Sequence, residues 1–269
     1  MCALTHRDFD ITDPEAARRL VYDGDLLVNC AAFTNVDAAE ADLDTAHAVN
    51  AIGPGNLARA CAQAGARLIH ISTDYVFNGE MFGGELHRPY DVTDPVGPLS
   101  AYGRTKLEGE LAVHAELPEA QVVRTSWVFT GGAGSDFVAV MRRLAATDRT
   151  VDVVADQTGS PTYAPDLVDA LLQIAAGGIT APVLHAANAG AASRFDQAQA
   201  VFSVLGADPD RVRPVNTDAV PRPAHRPVYS ALSMARSVQA GLSPLRPWRD
   251  ALAAALAVPV PEGPLASTQ

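Results

Sequence analysis

Lysine is almost absent. Lysine and arginine together number 20 in 269 residues, and only one of them, Lys106, is lysine. A coding bias of a GC-rich genome explains a general preference for arginine, but not the position of the one lysine that remains. The three cysteines (Cys2, Cys30, Cys61) form no CxxC pair, which suits reduced thiols in a cytoplasm. The seven histidines include no HxxxH pair, so no zinc site suggests itself. No apolar run reaches the roughly 18–20 residues of a membrane span, and no signal peptide stands before the fold. A net charge of −11 argues against nucleic acid or an anionic membrane as the main partner. Glycine is missing from one telling place. No GxGxxG or GxxGxxG precedes the first strongly apolar strand, at 26–32, where a dinucleotide fold normally seats a pyrophosphate on a helix N-terminus. Either there is no dinucleotide site, or the chain as written begins one βα unit late.

What is present is a core-forming chain, 48% hydrophobic and 19% charged. Asp13-Pro14-Glu15 reads as a helix start, with Asp13 or Thr12 as the cap. Residues 26–32 form a continuous apolar strand of the buried, parallel type. Helical spacing follows over 44–64, then a strand at 67–72, a helix at 102–115 and a strand at 121–128. Further helices are expected at 135–147, 165–176 and 194–205, with strands at 151–154 and 183–187. Strands alternating with helices of this length predict a doubly wound, Rossmann-like parallel α/β sheet. After about residue 206 the texture turns to Pro and Arg, feeding a last helix at 247–257. The expected division is a nucleotide-cofactor-binding part, 1–127 plus about 149–188, and a smaller substrate-binding region, about 128–148 plus 189–257. Residues 258–269 read as a flexible tail.

The chemistry concentrates in 69–106. An apolar strand ends in Ser72-Thr73-Asp74, a Pro/Gly/Asp-rich loop follows, and the stretch closes on Tyr102-Gly103-Arg104-Thr105-Lys106 at a helix start. Tyr102 and Lys106, at i and i+4, share a helical face with Cβ atoms roughly 5–6 Å apart. An ammonium can there hold a phenol ready for proton transfer. With six tyrosines in the chain, the single lysine falls four residues after one by chance roughly one time in forty-five. Arginine cannot replace lysine where a compact, tunable ammonium is needed. Bland readings stand beside these: Thr73-Asp74 as a turn that ends a strand, Trp127 as core, Asp156 and Asp166 as helix caps. Arg194, Arg222 and Arg226 are read as solvated surface by default, with a bidentate diphosphate clamp as the alternative. The acidic run 37–44 reads as a solvated helix start.

Several stretches together carry a resemblance: DITDP (10–14), VNCAAFTNVDAAE (28–40), AVNAIGPGNLA (48–58), HISTDYVFNG (70–79), YGRTK (102–106), VVRTSWVF (122–129) and DQTGSPTYAPDL (156–167). With RPVYSALS and GLSPLRPWRDAL near the end, the chain resembles the extended short-chain dehydrogenase/reductase superfamily and, within it, the dTDP-4-dehydrorhamnose reductase family. The likeness covers nearly the whole chain but not the family's first strand, glycine turn and helix. It implies reduction of dTDP-4-dehydrorhamnose to dTDP-L-rhamnose by NADPH or NADH, a cytoplasmic step toward cell wall polysaccharide. The catalytic residues it implies are Thr73, Tyr102 and Lys106, with Lys106 and the oxidised nicotinamide nearby together lowering the Tyr102 pKa. For the cofactor it implies Asp10 and Ile11 beside the adenosine, the Ala32-Phe33-Thr34 turn under the nicotinamide ribose, Ile71 against the nicotinamide, and Tyr102 with Lys106. For the sugar nucleotide it implies Thr73, Asp74 and Trp127. The resemblance also allows a homodimer and a magnesium ion, without assigning residues to either. The alternative function is a non-catalytic, nucleotide-binding regulatory subunit of the same fold, or an inactive truncated form. With no glycine turn, weak NADPH binding by this chain and a native start further upstream are the expectations.

Overall fold

The structure, a computed structural model, describes residues 2–79, 88–132 and 134–259. The first half runs α1 (Pro14–Leu20), β1 (Leu26–Asn29), α2 (Val36–Ala41), α3 (Leu43–His47), α4 (Gly53–Ala64), β2 (Arg67–Thr73), α5 (Ala101–Glu116) and β3 (Gln121–Thr125). It continues through β4 (Val128–Phe129), α6 (Phe137–Ala145), β5 (Val151–Val154), β6 (Thr158–Gly159), β7 (Thr162–Tyr163), α7 (Ala164–Ala175) and β8 (Val183–His185). The last elements are β9 (Ala192–Ser193), α8 (Arg194–Val204), β10 (Val212–Val215), α9 (Ala235–Gln239) and α10 (Trp248–Ala257).

The expected parallel sheet is present, in the order β1-β2-β3-β8. Successive side chains on a strand face opposite ways, so β2 and β3 each supply two cores. Leu68 and Val122 pack with Leu57 and Val113, beneath α4 and α5. Ile69 and Val123 pack with Leu167, Ile174 and Leu184, on the α7 side. β1 is an edge strand of this sheet, and its Val28 is exposed. A separate core joins α6, α8 and α10 through Phe129, Val138, Phe202 and Leu252. Strand β5, counted with the cofactor-binding part by its place in the sequence, pairs with β10 instead, and Val153 and Val212 lie in this separate core.

Two local differences from the sequence reading have physical causes. The acidic run is not one helix start but two short helices, with Asn35 and Asp42 accepting the N–H groups of Ala38 and Thr45. The helix expected over 44–64 is interrupted at Ala48–Ile52 by a π-helical turn. Pro54 has no N–H with which to bond the Asn50 carbonyl, so an i→i−4 ladder fails at that point. That carbonyl lies against α5 at Gly109, where an added Cβ would sit 2.1 Å from it. No helix among the described residues is long and apolar enough to cross a membrane. Of the expected tail, 260–269 lies outside the described residues, as do 80–87 of the 69–106 stretch.

Candidate active site

The parallel sheet delivers Thr73 and Thr125 side by side at the carboxyl ends of β2 and β3, the edge at which ligands enter such folds. Thr73 Oγ1 accepts the Tyr75 N–H at 3.2 Å, so the turn reading of Thr73 is also satisfied. Helix α5 begins against this turn. Ser100 caps it by accepting the Gly103 N–H at 3.1 Å, and Glu40 from α2 accepts the Ala101 N–H at 2.7 Å. Gly103 is where the helix meets the turn: a Cβ there would lie 2.3 Å from the Tyr75 carbonyl oxygen. Removing that Cβ is what lets Tyr102 reach the strand end.

Tyr102 is half-buried, with its ring edge-on to Tyr75 at 5.9 Å between centroids. Burial pushes its hydroxyl well above the usual phenol range, opposed by a hydrogen bond with the Thr73 side chain and reinforced by the Asp74 charge. Lys106 is not among the groups that shift this phenol. The Lys106 ammonium turns to the Ile71 carbonyl at 2.7 Å and faces His70 Nε2 at 3.4 Å, rather than bonding the phenol. Lys106 is only 2% exposed, and burial draws its pKa down to about 8 against the pull of Glu110 and Cys30.

The remaining candidates divide into three groups. Phe33 joins Tyr102 in a small apolar cluster with Ala39, Ala46 and Ala101. Its backbone is clamped by Asn50, whose Oδ1 accepts the Phe33 N–H at 2.8 Å and whose Nδ2 donates to the Phe33 carbonyl at 3.2 Å. Ala32 is half-buried and Thr34 exposed on the same loop. Asp10 and Ile11 lie apart, before α1. Asp10 accepts the Thr12 N–H and hydroxyl, at 2.9 and 2.8 Å, which hold its carboxyl below the usual range. Ile11 is buried against Gly53. Among the described residues no hydrogen bond joins either of them to Thr73, Tyr102 or Lys106.

The third group is Asp74 and Trp127. Asp74 is buried, accepts the Ser230 and Thr73 hydroxyls at 2.5 and 3.1 Å, and is raised by burial to about 6. Trp127 follows β3 with φ at 47°, in the left-handed region that non-glycine residues avoid. Its buried indole Nε1 has no partner. The Arg194 guanidinium lies over its ring at 3.6 Å from the centroid, half-buried rather than solvated. Burial lowers the Arg194 pKa to about 10. Arg226 and Arg222 instead pair with Asp37, at 2.8 and 3.4 Å. Asp156 lies in no helix but reaches the start of the short 3-10 helix Thr217–Ala219, and Asp166 lies inside α7, whose N-cap is Tyr163. Asp156 accepts the Thr217 N–H, and Asp166 pairs with Arg246 at 2.7 Å.

Asn29, Asn50, His70 and Ser230 were missed because each is one polar residue in an apolar run, and only its partner reveals it. The chemistry of the donor set fits a nicotinamide ribose. Among the described residues Ile71 O is the one oxygen that accepts from the Lys106 ammonium, which leaves a buried donor unused beside Tyr102. Among the described residues no group of three or more His, Cys, Asp or Glu could hold a metal ion.

The chain as a whole is similar to known proteins. The RmlD substrate binding domain family matches residues 1–259. A dTDP-4-dehydrorhamnose reductase of Mycolicibacterium smegmatis is 61% identical over 99% of this chain and 81% of its own length. One from Mycobacterium tuberculosis is 61% identical over 96% of this chain and 85% of its own. Among solved structures, a Bacillus anthracis dTDP-4-dehydrorhamnose reductase in complex with NADP has a TM-score of 0.85 at 34% identity. It is covered over 86% of its length by 93% of this chain.

Proposed function

The chain belongs to the RmlD substrate-binding-domain family, and from that premise we propose that Tyr102, Thr73 and Lys106 carry the reduction of a dTDP-sugar ketone. It is an NADP-dependent oxidoreductase that converts dTDP-4-dehydrorhamnose to dTDP-L-rhamnose. The nicotinamide, when bound, supplies the hydride that reaches the C4 carbonyl carbon.

The protein's own residues deal with the oxygen. Tyr102, kept protonated by burial, donates its hydroxyl proton as the C4 oxygen gains charge, and the ketone becomes an alcohol. Thr73, beside the same phenol, steadies the developing oxyanion by turning its hydroxyl proton from Asp74 to that oxygen. Lys106, Tyr102 and the loop of Ala32, Phe33 and Thr34 would hold the nicotinamide ribose, and Ile71 would lie against the nicotinamide. Asp10 and Ile11 would border the adenosine end. Trp127, its ring stacked under Arg194, would offer the sugar nucleotide its one unpartnered N–H, and Asp74 orders Thr73 and Ser230. Cofactor binding is assigned to the four-stranded sheet and sugar-nucleotide binding to the core of α6, α8 and α10. The free cysteines suit a reducing, cytoplasmic setting.

The observation that carries the roles is the Thr73–Tyr102 pair at the strand end, with a buried ammonium one helical turn behind it. A non-catalytic subunit has no use for that arrangement. Tyr102→Phe should lower kcat by about 10²–10⁴-fold, with binding of the dTDP-sugar retained in calorimetry. Turnover near wild type would remove Tyr102 from the mechanism.

A further inference from the structure

His70 lies on β2 one residue before Ile71, with no exposed surface. Asn29, the last residue of β1, places its Nδ2 3.0 Å from His70 Nδ1. The orientation of that amide is decided by a third group. Asn29 Oδ1 accepts the Ala31 N–H at 3.0 Å, so rotating the amide would set two donors against each other. An amide nitrogen offers only protons, so Nδ1 is the accepting nitrogen of the ring. The proton of the neutral imidazole is therefore on Nε2. Burial keeps the ring neutral, and repulsion from Lys106 and His114 adds to it.

Nε2 faces Lys106 Nζ at 3.4 Å. An ammonium there meets another donor and gains nothing, whereas an uncharged amine has a lone pair to accept the ring proton. We propose that Asn29 and His70 are positioning residues for the reduction: Asn29 fixes the ring tautomer, and the His70 Nε2–H favours the amine form of Lys106 over the ammonium. The proposal rests on the reading of Tyr102 and Lys106 as the reaction site. Its consequence is that Lys106 gives up a proton readily near working pH, instead of acting as a fixed charge.

The other groups around Lys106 oppose this only weakly. Glu110, one turn further along α5, favours the ammonium, but its oxygens are occupied by Arg124 at 2.9 and 2.7 Å and by Ser72 at 2.5 Å. Cys30 also favours it, yet that thiol, exposed at the residue level but partly desolvated, is shifted upward and so toward its uncharged form. Tyr102, at i−4, is held protonated by its own burial.

The single lysine makes the test direct. With ¹³C-labelled lysine, the ligand-free protein shows one side-chain signal, and its titration reads Lys106 alone. The expected midpoint is near 8. In His70→Gln, whose amide oxygen can accept from an ammonium, the midpoint should rise by about one unit, a tenfold change in the equilibrium. Long-range ¹H–¹⁵N correlation of ¹⁵N-histidine in the wild-type protein should place the His70 proton on Nε2, the signal being assigned by its loss in His70→Gln. A proton on Nδ1, or an unmoved Lys106 midpoint in His70→Gln, overturns the proposal. If His70→Gln fails to fold, Asn29→Leu serves for the assignment through the shift of the His70 signals, and the wild-type tautomer decides. Loss of turnover in Tyr102→Phe beside either of those results would leave the reaction site standing and remove only this inference.

Discussion

Gly103 should be the most activity-sensitive glycine of α5, and Gly103→Ala separates two effects that usually travel together. On propensity alone the change should help, by up to about 1 kcal/mol for an alanine in a helix. The tertiary setting reverses that. The new Cβ would stand 2.3 Å from the Tyr75 carbonyl oxygen and 2.9 Å from Pro98 Cβ, and the first of these is backbone that no side-chain rotation can move. Relieving it takes a displacement of about 1 Å between the start of α5 and the Asp74–Val76 turn, and a misplacement of that size costs about 10²-fold in rate when reacting groups lose alignment. Overpacking of this kind costs about 1–3 kcal/mol, so the balance is a modest loss of stability with a large loss of kcat. The assay is steady-state NADPH oxidation with dTDP-4-dehydrorhamnose, alongside thermal unfolding. Arg104→Ala, one residue on, is the control: its nearest carboxylate is 3.9 Å away in an exposed pair, so kcat should hold. A Gly103→Ala protein with wild-type kcat and a raised Tm would refute the idea that this contact sets the Tyr102–Thr73 geometry.

Two other perturbations test the electrostatics. Asp74 is raised by burial to about 6 from an ordinary carboxylate value, so the folded state binds its proton more tightly than the unfolded chain. Stability from this group therefore grows as pH falls from about 6 toward 4, and is lost as pH rises back through 6. In urea unfolding, wild type should gain relative to Asp74→Asn on going from pH 7 to pH 5; a difference independent of pH would contradict the shift. Arg124 and Glu110 form a buried pair at 2.7 Å with side chains 6% and 4% exposed. Arg124→Ala strands the Glu110 carboxylate and should cost about 3–5 kcal/mol, while Arg124→Ala combined with Glu110→Gln should recover part of it. A single variant within 1 kcal/mol of wild type in urea unfolding would show that water reaches the pair.

Much of the site was legible because its signals are local. Tyr102 and Lys106 announce themselves through one helical turn, and Thr73-Asp74 through the end of an apolar strand. Asn29 and His70 gave no such signal: their contact joins residues 41 apart, and each looks like an isolated polar residue in a buried strand. Likewise Asp37 read as an acidic helix start, and only folding brought Arg226, 189 residues away, onto it.

The alternation of strand and helix, the parallel sheet and the pairing of Tyr102 with Lys106 on one helix were determined by the chain itself, through periodicities and spacings that hold within one element. Which core β5 joins, where the helix breaks beside Asn50 and which way Lys106 points were decided by tertiary structure. The reason is physical: a hydrophobic period states which face of an element is buried, but not against what. A buried donor takes its direction from whichever acceptor another strand places within reach, and for Lys106 that acceptor is the Ile71 carbonyl.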